Sequence, residues 1–442
     1  MQQDNDKKGI RISRKSFIIS TAFIFAMMVA TYILTIVFSG GIPLWKWVLS
    51  PILVLTAKGS ATLIAVILFL LLIGGVFNVL TEQGIIARML QKLVRRFGAV
   101  RYRLMAVLIL FFMMMGAFVG SFEEVIPLVP IVVSLAVGLG WDVYTGMGMS
   151  LLAVGCGFAS GVSNPFTIGV AQTLAGLPMF SGMGYRFFNF VCIYILLLVF
   201  VNLHARKIAK DYTERDNDAY IKDAKMDKGV IFFAVIMVLG IASVVAAAFV
   251  PALSDYTMII LAAAFLAAGV LSALVSGMPA GKLIRSFGAG VAAIAPSIIM
   301  ILMASSIRYV MDESGVLDIL LGYSMDAAAG MPKWAVILFI YLICLAVNFF
   351  VPSGSAEAIL LIPLIVPLAQ AFGIGAQLCI VAFAFGDGFS NVFYPTNPCL
   401  LIALGLTDTS YQGWIKYSLP FQLLNLVLTA GLLVLGLLAG WA

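Results

Sequence analysis

Apolar runs long enough to cross the ~30 Å hydrocarbon core of a bilayer recur along the whole chain. Residues 17–38, 61–80, 104–119 and 423–438 are examples. A backbone surrounded by lipid must satisfy its own hydrogen bonds, so such runs fold as helices rather than as loops or open sheets. Charged residues make up 10% of the sequence, against roughly 25% in a soluble chain. The count comes to about eleven spans plus interrupted segments, and the fold class is all-α, a polytopic membrane protein. The first run is longer than a signal-peptide core, leads into further spans without a small-residue cleavage site, and reads as a retained first helix.

Basic residues concentrate in short polar stretches, as in Lys7, Lys8, Arg11, Arg14 and Lys15. This is the positive-inside signal of a multi-pass protein of the cell inner (cytoplasmic) membrane and accounts for the net charge of +6 without nucleic-acid binding. Cys156, Cys192, Cys344, Cys379 and Cys399 lie in apolar stretches without metal-ligand spacing and read as small buried hydrophobes. His204, beside Arg206 and Lys207 where a helix leaves the membrane, reads as interfacial. One substantial hydrophilic stretch divides the chain into an N-terminal transmembrane repeat (1–204), a cytoplasmic linker (205–228) and a C-terminal transmembrane repeat (229–442). Two polar-edged segments, 45–56 and 281–290, are expected as helices lying in the interface.

The halves are related. Residues 120–176 lie on residues 353–409 at a constant offset of 233 without gaps. Glu124 then meets Glu357, Pro130 meets Pro363, Gly140 meets Gly373, Gly155 meets Gly388, Asn164 meets Asn397 and Pro165 meets Pro398. Unrelated apolar helices would coincide in Leu, Val and Ala, not in Glu, Asn and Pro. Internal repeats of this kind are a hallmark of transporter folds.

Each repeat holds two segments that a plain spanning helix cannot accommodate. Residues 121–139 and 353–372 carry a carboxylate near the start and prolines near the middle, Pro127 and Pro130 in one, Pro363 and Pro367 in the other. Proline removes a backbone donor and clashes with the preceding turn, so each segment is expected to be two short helices meeting at a bend, a re-entrant hairpin, with a kinked spanning helix as the alternative. The second pair, 155–167 and 386–398, are polar islands in apolar sequence and predict discontinuous transmembrane helices. Unpaired backbone at membrane depth is tolerated around a protein-lined site, where half-helix ends and Ser, Thr and Asn oxygens can hold a carboxylate or Na⁺. Ser160, Asn164, Asp387, Asn391 and Asn397 are the candidate Na⁺ ligands, and Glu124, Glu357 and Asp387 the candidate coupling carboxylates, with Glu123 beside them. Arg308 reads as a snorkelling side chain rather than a substrate anchor.

The motifs GSFEEVIPLVP, GCGFASGVSNPFTIGVAQTLAGLP, VPSGSAEA and AFGDGFSNVFYPTNP resemble those of the YfcC and DcuC carriers, the C4-dicarboxylate anaerobic carriers of the wider ion-transporter superfamily. The resemblance covers roughly residues 60–440. It implies two inverted repeats, each with a re-entrant hairpin and a discontinuous transmembrane helix, and it places substrate ligands at Ser163, Asn164, Thr167, Thr396 and Asn397, with Ser355 at the second hairpin. Both asparagines are followed here by proline, a departure from the Ser-Asn-Thr pattern of sodium-coupled dicarboxylate symporters. Counting spans puts six crossings between equivalent helices, the number for parallel repeats, where the resemblance implies inverted ones; the reading adopted is inverted, with the miscounted crossing around residues 228–277 or in an interfacial segment.

The expectation is therefore a secondary active transporter for a small organic anion (C4-dicarboxylate-like) or an amino acid, coupled to Na⁺ by alternating access. The alternative is an H⁺-coupled carrier or a basic amino-acid exchanger. Paired discontinuous helices within one chain argue against a channel pore, and the absence of a Cys/His cluster or a Ser-x-x-Lys or His-Glu-x-x-His pattern argues against an enzyme. No cofactor is expected apart from Na⁺ as coupling ion; the expected partners are the small-molecule substrate, membrane lipid and a second copy in a homodimer.

Overall fold

A computed structural model of the chain describes residues 14–441 except 58–59, 121, 179–180, 210–222, 249, 251–252, 254–255, 317–318, 320–321, 324–326 and 329. Every regular element among the described residues is helical. Among the described residues seven helices have the length and composition to cross a membrane, Met183–Ile208 and Tyr411–Leu438 the longest unbroken ones, and five shorter apolar helices accompany them. The expected eleven spans become fewer full-length helices because several elements stop short: Lys333–Asn348 has 16 residues, a rise of about 24 Å.

Two apolar cores organise the molecule. The larger draws on residues between Met105 and Ala205 and between Ile294 and Leu433, and surrounds the elements that carry the candidate site. The smaller joins Ser60–Gln83 to Ala224–Ala248 and Thr257–Val275, with the Phe265 ring against those of Phe77 and Phe233.

The segment expected in the interface at 281–290 instead belongs to a helix, Ala280–Ile294, packed along Ser60–Gln83. Asn78 Nδ2 donates to the Ser286 carbonyl at 2.8 Å, and a Cβ at Gly290 would sit 2.3 Å from the Gly74 carbonyl oxygen. Small residues let two helix backbones approach this closely, which holds the element against its neighbour despite its polar edge. The other such segment, 45–56, forms the short turns Leu44–Val48, Ser50–Leu53 and Val54–Thr56, with Trp45, Val48 and Ile52 exposed. The linker expected over 205–228 is helical at both ends, and its middle, 210–222, lies outside the described residues, as do Lys7, Lys8, Arg11 and Ser121.

Each repeat contains a helical hairpin, but its apex lies upstream of the prolines. In hairpin 1, Arg101–Met114 continues through a wide turn, Met115–Val119, reverses after Gly120, and returns as Glu123–Leu128 and Val129–Gly138. In hairpin 2, Lys333–Asn348 reverses across residues 349–353 and returns as Gly354–Ala371. The segments expected to be whole hairpins are thus the returning arms. Gly354–Ala371 stays one helix through Pro363 and Pro367, while Pro127 falls in the tighter 3₁₀ stretch. A proline forfeits one helical hydrogen bond without ending a helix that is packed on its neighbours, and this arm packs on elements of both repeats.

The hairpins end alike. Gly140 and Gly373 both take a left-handed conformation, φ 86° and 66°. The following residue closes back in each, Trp141 N–H onto the Ala136 carbonyl at 3.0 Å and Ile374 N–H onto Ala369 at 2.9 Å. This is a glycine-dependent helix stop. A basic side chain ties the open end of each hairpin: Arg101 donates to the Leu139 carbonyl at 2.8 Å and Lys333 to the Gly373 carbonyl at 3.4 Å.

Candidate functional site

Beyond each hairpin lies a broken helix. The first runs as Val143–Met147, Gly148–Leu152 and Ala153–Ser160, breaks at residues 161–164, and resumes as Pro165–Gly169 and Val170–Leu174. The second runs as Ala376–Ser390, breaks, and resumes as Pro398–Leu406. Asparagine caps each resuming segment. Asn164 Oδ1 accepts from the N–H groups of Phe166 and Thr167 at 2.9 and 3.3 Å, and Asn397 Oδ1 accepts from Cys399 N–H at 2.8 Å. Proline suits the position after a cap because its missing N–H would be unpaired there anyway and its φ is already helical. The Asn-Pro pairs therefore define where each helix restarts.

The first break docks on the apex of hairpin 1. Ser163 N–H donates to the Ala117 carbonyl at 3.0 Å, Ser163 Oγ to Phe118 at 3.3 Å, and a Cβ at Gly120 would lie 2.2 Å from Asn164 Oδ1. The broken helices also cross each other. A Cβ on Gly155 would meet Val392 at 2.5 Å, and one on Gly388 would meet Ala159 at 2.2 Å. At the repeat offset Gly155 corresponds to Gly388 and Ala159 to Val392, so the contact is self-complementary and its registers run in opposite directions. That is the contact pattern of a local two-fold axis between antiparallel helices.

The second repeat carries a polar network that the first lacks. Asn348 Nδ2 donates to Glu357 Oε2 at 2.7 Å and to Asp387 Oδ1 at 2.9 Å. Asn391 Nδ2 reaches the same Asp387 oxygen at 3.2 Å, and Asn397 Nδ2 reaches Asn391 Oδ1 at 2.8 Å. Ser390 Oγ donates to Asn348 Oδ1 at 2.8 Å. The chain of bonds leads from the tip of hairpin 2 to the second cap, and Glu357, Asp387 and Asn348 have no exposed surface. Among the described residues the ion pairs, such as Arg88–Asp227 at 2.8 Å and Arg308–Asp312 at 3.4 Å, involve neither carboxylate. Two unit charges about 5 Å apart repel by roughly 3 kcal/mol even at an effective dielectric constant of about 20. Such a pair calls for a cation or a proton.

Several candidate residues have polar atoms that are buried and unpaired: Asn164 Nδ2, Thr167 Oγ1, Thr396 Oγ1, Glu357 Oε1 and Asp387 Oδ2. Buried polar atoms ordinarily find partners, so these orphans on the two broken helices and hairpin 2 are candidate contacts for a bound group. The chemistry differs by residue. Asn164 keeps a donor, which suits an acceptor on the solute, whereas its oxygen already caps the helix. Asn391 and Asn397 have both side-chain ends engaged, and Ser160 Oγ donates to the Cys156 carbonyl at 2.7 Å within its own helix. Of the expected Na⁺ ligands, Asp387 alone retains an uncommitted oxygen. Glu124 is buried at hairpin 1, Glu123 is half-buried, and Ser355 is exposed on the far side of the second hairpin tip, away from the buried Glu357 face.

Two residues of the candidate site escaped the sequence reading. Asn348 closes an apolar run, and its partners lie 9 and 39 residues on. Arg186 has no exposed surface; its Nε and Nη2 donate to the Val162 carbonyl at 3.3 and 3.2 Å, just before Ser163. Its Nη1 reaches Gln377 Oε1, at the start of the second broken helix, at 3.4 Å. An arginine near the start of an apolar helix whose other basic residues, His204, Arg206 and Lys207, gather at its far end was the available signal. Beside the tip of hairpin 2 a cavity of about 420 Å³ is lined by Arg308, Asp312, Val351, Ala356, Leu360 and Pro363. Arg308, read as snorkelling, thus also faces a cavity.

Residues 46–438 match a protein family described as C4-dicarboxylate anaerobic carrier, DcuC. The chain is 28% identical over 379 residues to the protein of Escherichia coli (strain K12) named "Putative basic amino acid antiporter YfcC", a match covering 80% of this chain and 74% of that one. It is 24% identical over 374 residues to an uncharacterized protein of Haemophilus influenzae, covering 82% and 73% respectively. Among solved structures it is similar to the YdaH transporter of Alcanivorax borkumensis, with a TM-score of 0.45 and 18% identity over 96% of this chain and 99% of that chain. It is also similar to MtrF of Neisseria gonorrhoeae, from a class of antimetabolite efflux pumps, with a TM-score of 0.43 and 16% identity over 94% of each chain.

Proposed function

Because this chain belongs to the C4-dicarboxylate anaerobic carrier family, we propose that it is a secondary active transporter of the inner (cytoplasmic) membrane, moving a small organic anion or an amino acid by alternating access with Na⁺ as coupling ion. The observation that carries this reading is the pair of Asn-Pro-capped breaks, on antiparallel helices in self-complementary contact, with unpaired buried polar atoms at both. Broken helices of this kind supply half-helix ends for a solute at the middle of the membrane. The antiparallel crossing supports inverted repeats, which alternating access uses as two interchangeable halves.

The solute has two readings. A C4-dicarboxylate-like anion follows from the family description, with Arg186 at the first break and Arg308 in the adjoining cavity as the cations available to it. A basic amino acid is the second reading, in which a solute cation takes the place of Na⁺ at the polar network of the second break, whose two buried carboxylates have no basic side chain bonded to them among the described residues. The name of the Escherichia coli relative points the same way.

Counterflow in proteoliposomes decides among these. Vesicles preloaded with unlabelled succinate or arginine are supplied with the labelled compound outside, with and without Na⁺. A transporter accumulates label transiently in the presence of its own solute. Arginine counterflow without succinate counterflow selects the second solute reading. Absence of counterflow with any dicarboxylate or amino acid, in vesicles whose reconstituted protein is folded, would defeat the proposal.

A further inference from the structure

We propose that Asp387, Glu357 and Thr167 form a sodium site spanning the two repeats and closed by the tip of hairpin 2; the inference rests on the transporter reading and assigns its coupling ion to specific atoms. Asn348 and Asn391 occupy one oxygen of each carboxylate, Glu357 Oε2 and Asp387 Oδ1. The other oxygens, Glu357 Oε1 and Asp387 Oδ2, are fully buried and unpaired, as is Thr167 Oγ1. The amide donors leave one acceptor free on each carboxyl group.

Gly354 packs against the Thr167 methyl and the Asp387 carboxylate and so sets these two side chains beside each other. It abuts both repeats: a Cβ there would lie 2.6 Å from Asp387 Oδ2 and 2.2 Å from Thr167 Cγ2. Only a residue without a side chain lets the hairpin tip sit between the carboxylate of one broken helix and the threonine of the other. The donor set is made of hard oxygens, two charged and one neutral, which suits an alkali cation over softer metals. Among the described residues no three His, Cys, Asp or Glu side chains gather, so the site lacks the cage a divalent transition metal takes.

The placement ties the ion to the solute site. Thr167 N–H is bonded to the Asn164 cap at 3.3 Å, so an ion on Thr167 Oγ1 also orders the first break. From Asp387 the bonds continue through Asn391 to Asn397 and order the second. One ion would thereby fix both caps, the arrangement an obligatorily coupled carrier requires.

The test uses the purified full-length protein in detergent without solute, so that it is independent of transport. Thermal unfolding is followed while NaCl replaces choline chloride at constant ionic strength and fixed pH, with KCl as a second control. Sodium is expected to raise the midpoint saturably. Asp387→Asn should raise the half-saturating sodium concentration about tenfold and Thr167→Val about threefold, while Thr167→Ser keeps the wild-type value. Glu357→Gln serves in place of Asp387→Asn should that variant fail to fold. Equal stabilisation by sodium and choline, a wild-type sodium midpoint in Asp387→Asn or Glu357→Gln, or a response to pH alone overturns the site. Counterflow in proteoliposomes separately reads the transporter assignment, so a sodium-free carrier and a non-carrier remain distinguishable.

Discussion

At both breaks an asparagine caps the returning half-helix and a proline follows it, yet the surroundings of the two caps differ. Where the second repeat places Asp387, Ser390 and Asn391, the first places Val154, Gly157 and Phe158. The first cap leaves its amide donor unpaired, whereas the second is bonded into a network that ends on two carboxylates. Among the described residues the cation bonded at a break belongs to the first, where Arg186 holds the Val162 carbonyl. The same capped break therefore occurs twice with different side chains around it: the first presents donors and a guanidinium, the second carboxylate acceptors.

The sharpest way to break this comparison is at the crossing, where the backbones match and the tolerances do not. A Cβ on Gly388 meets the Ala159 Cα at 2.2 Å, and backbone cannot step aside, whereas a Cβ on Gly155 meets only the Val392 side chain at 2.5 Å. Gly388→Ala should lower stability by about 3 kcal/mol or more and Gly155→Ala by roughly 1–2 kcal/mol. Thermal unfolding in detergent measures both. Equal losses would mean that the two sides of the crossing are equivalent after all.

The caps come next. Removing Asn164 forfeits a cap, about 1 kcal/mol. Removing Asn397 forfeits a cap and also the donor to Asn391, for a total of roughly 2 kcal/mol. Asn164→Ala and Asn397→Ala are both expected to stop counterflow, with Asn397→Ala having the lower unfolding temperature. An Asn164 variant that transports normally would leave that residue a purely architectural role.

The hairpin ties differ in the same sense. Arg101 donates at 2.8 Å, and its guanidinium lies 5.4 Å and 5.8 Å from the rings of Tyr102 and Trp141, whereas Lys333 reaches its carbonyl at 3.4 Å from an exposed position. Arg101→Ala should cost about 1 kcal/mol and Lys333→Ala a few tenths, roughly the range for partly buried and exposed cations at helix C-termini. A Lys333 variant as destabilised as the Arg101 variant would show that the two ties are interchangeable.

How much of this was legible depended on whether the signal was local. Asn-Pro after a polar island is a helix-start signature that needs no partner elsewhere, and both restarts fall there. Gly140 and Gly373 likewise mark hairpin ends on their own. Pro363 and Pro367 misled because a proline's effect depends on what supports the helix around it; here packing carries Gly354–Ala371 past both, and the reversal falls at the less conspicuous residues 349–353. Asn348 was invisible for a different reason. Its role exists only once a hairpin brings Glu357 and a third helix brings Asp387 to it, and nothing in its own neighbourhood distinguishes it from a polar residue at the end of an apolar run.

The smallest expected effect lies outside the spans, at Asp142, whose counterpart is Gly375. Asp142 Oδ1 caps its helix by accepting from the Thr145 N–H at 2.8 Å and hydroxyl at 2.7 Å, while Oδ2 lies 3.1 Å from His204 Nε2. Partial burial pushes its carboxyl upward, but the bonds from His204 and Thr145 outweigh this and hold it below the ordinary carboxylate value. A folded-state value below the unfolded one means that the carboxylate contributes stability at neutral pH, and that this contribution is lost as pH falls below about 4. The side chain is 35% exposed, so solvent screening limits the effect to under about 1 kcal/mol. Asp142→Asn should therefore unfold at a slightly lower temperature than wild type at pH 7, with the gap closing toward pH 3 as the wild-type carboxylate protonates. Gly375 offers no such group, so the second repeat should contribute nothing to this pH dependence. A gap that widens on acidification would reverse the sign and remove Asp142 as the group that distinguishes the two repeats at this end of the broken helices.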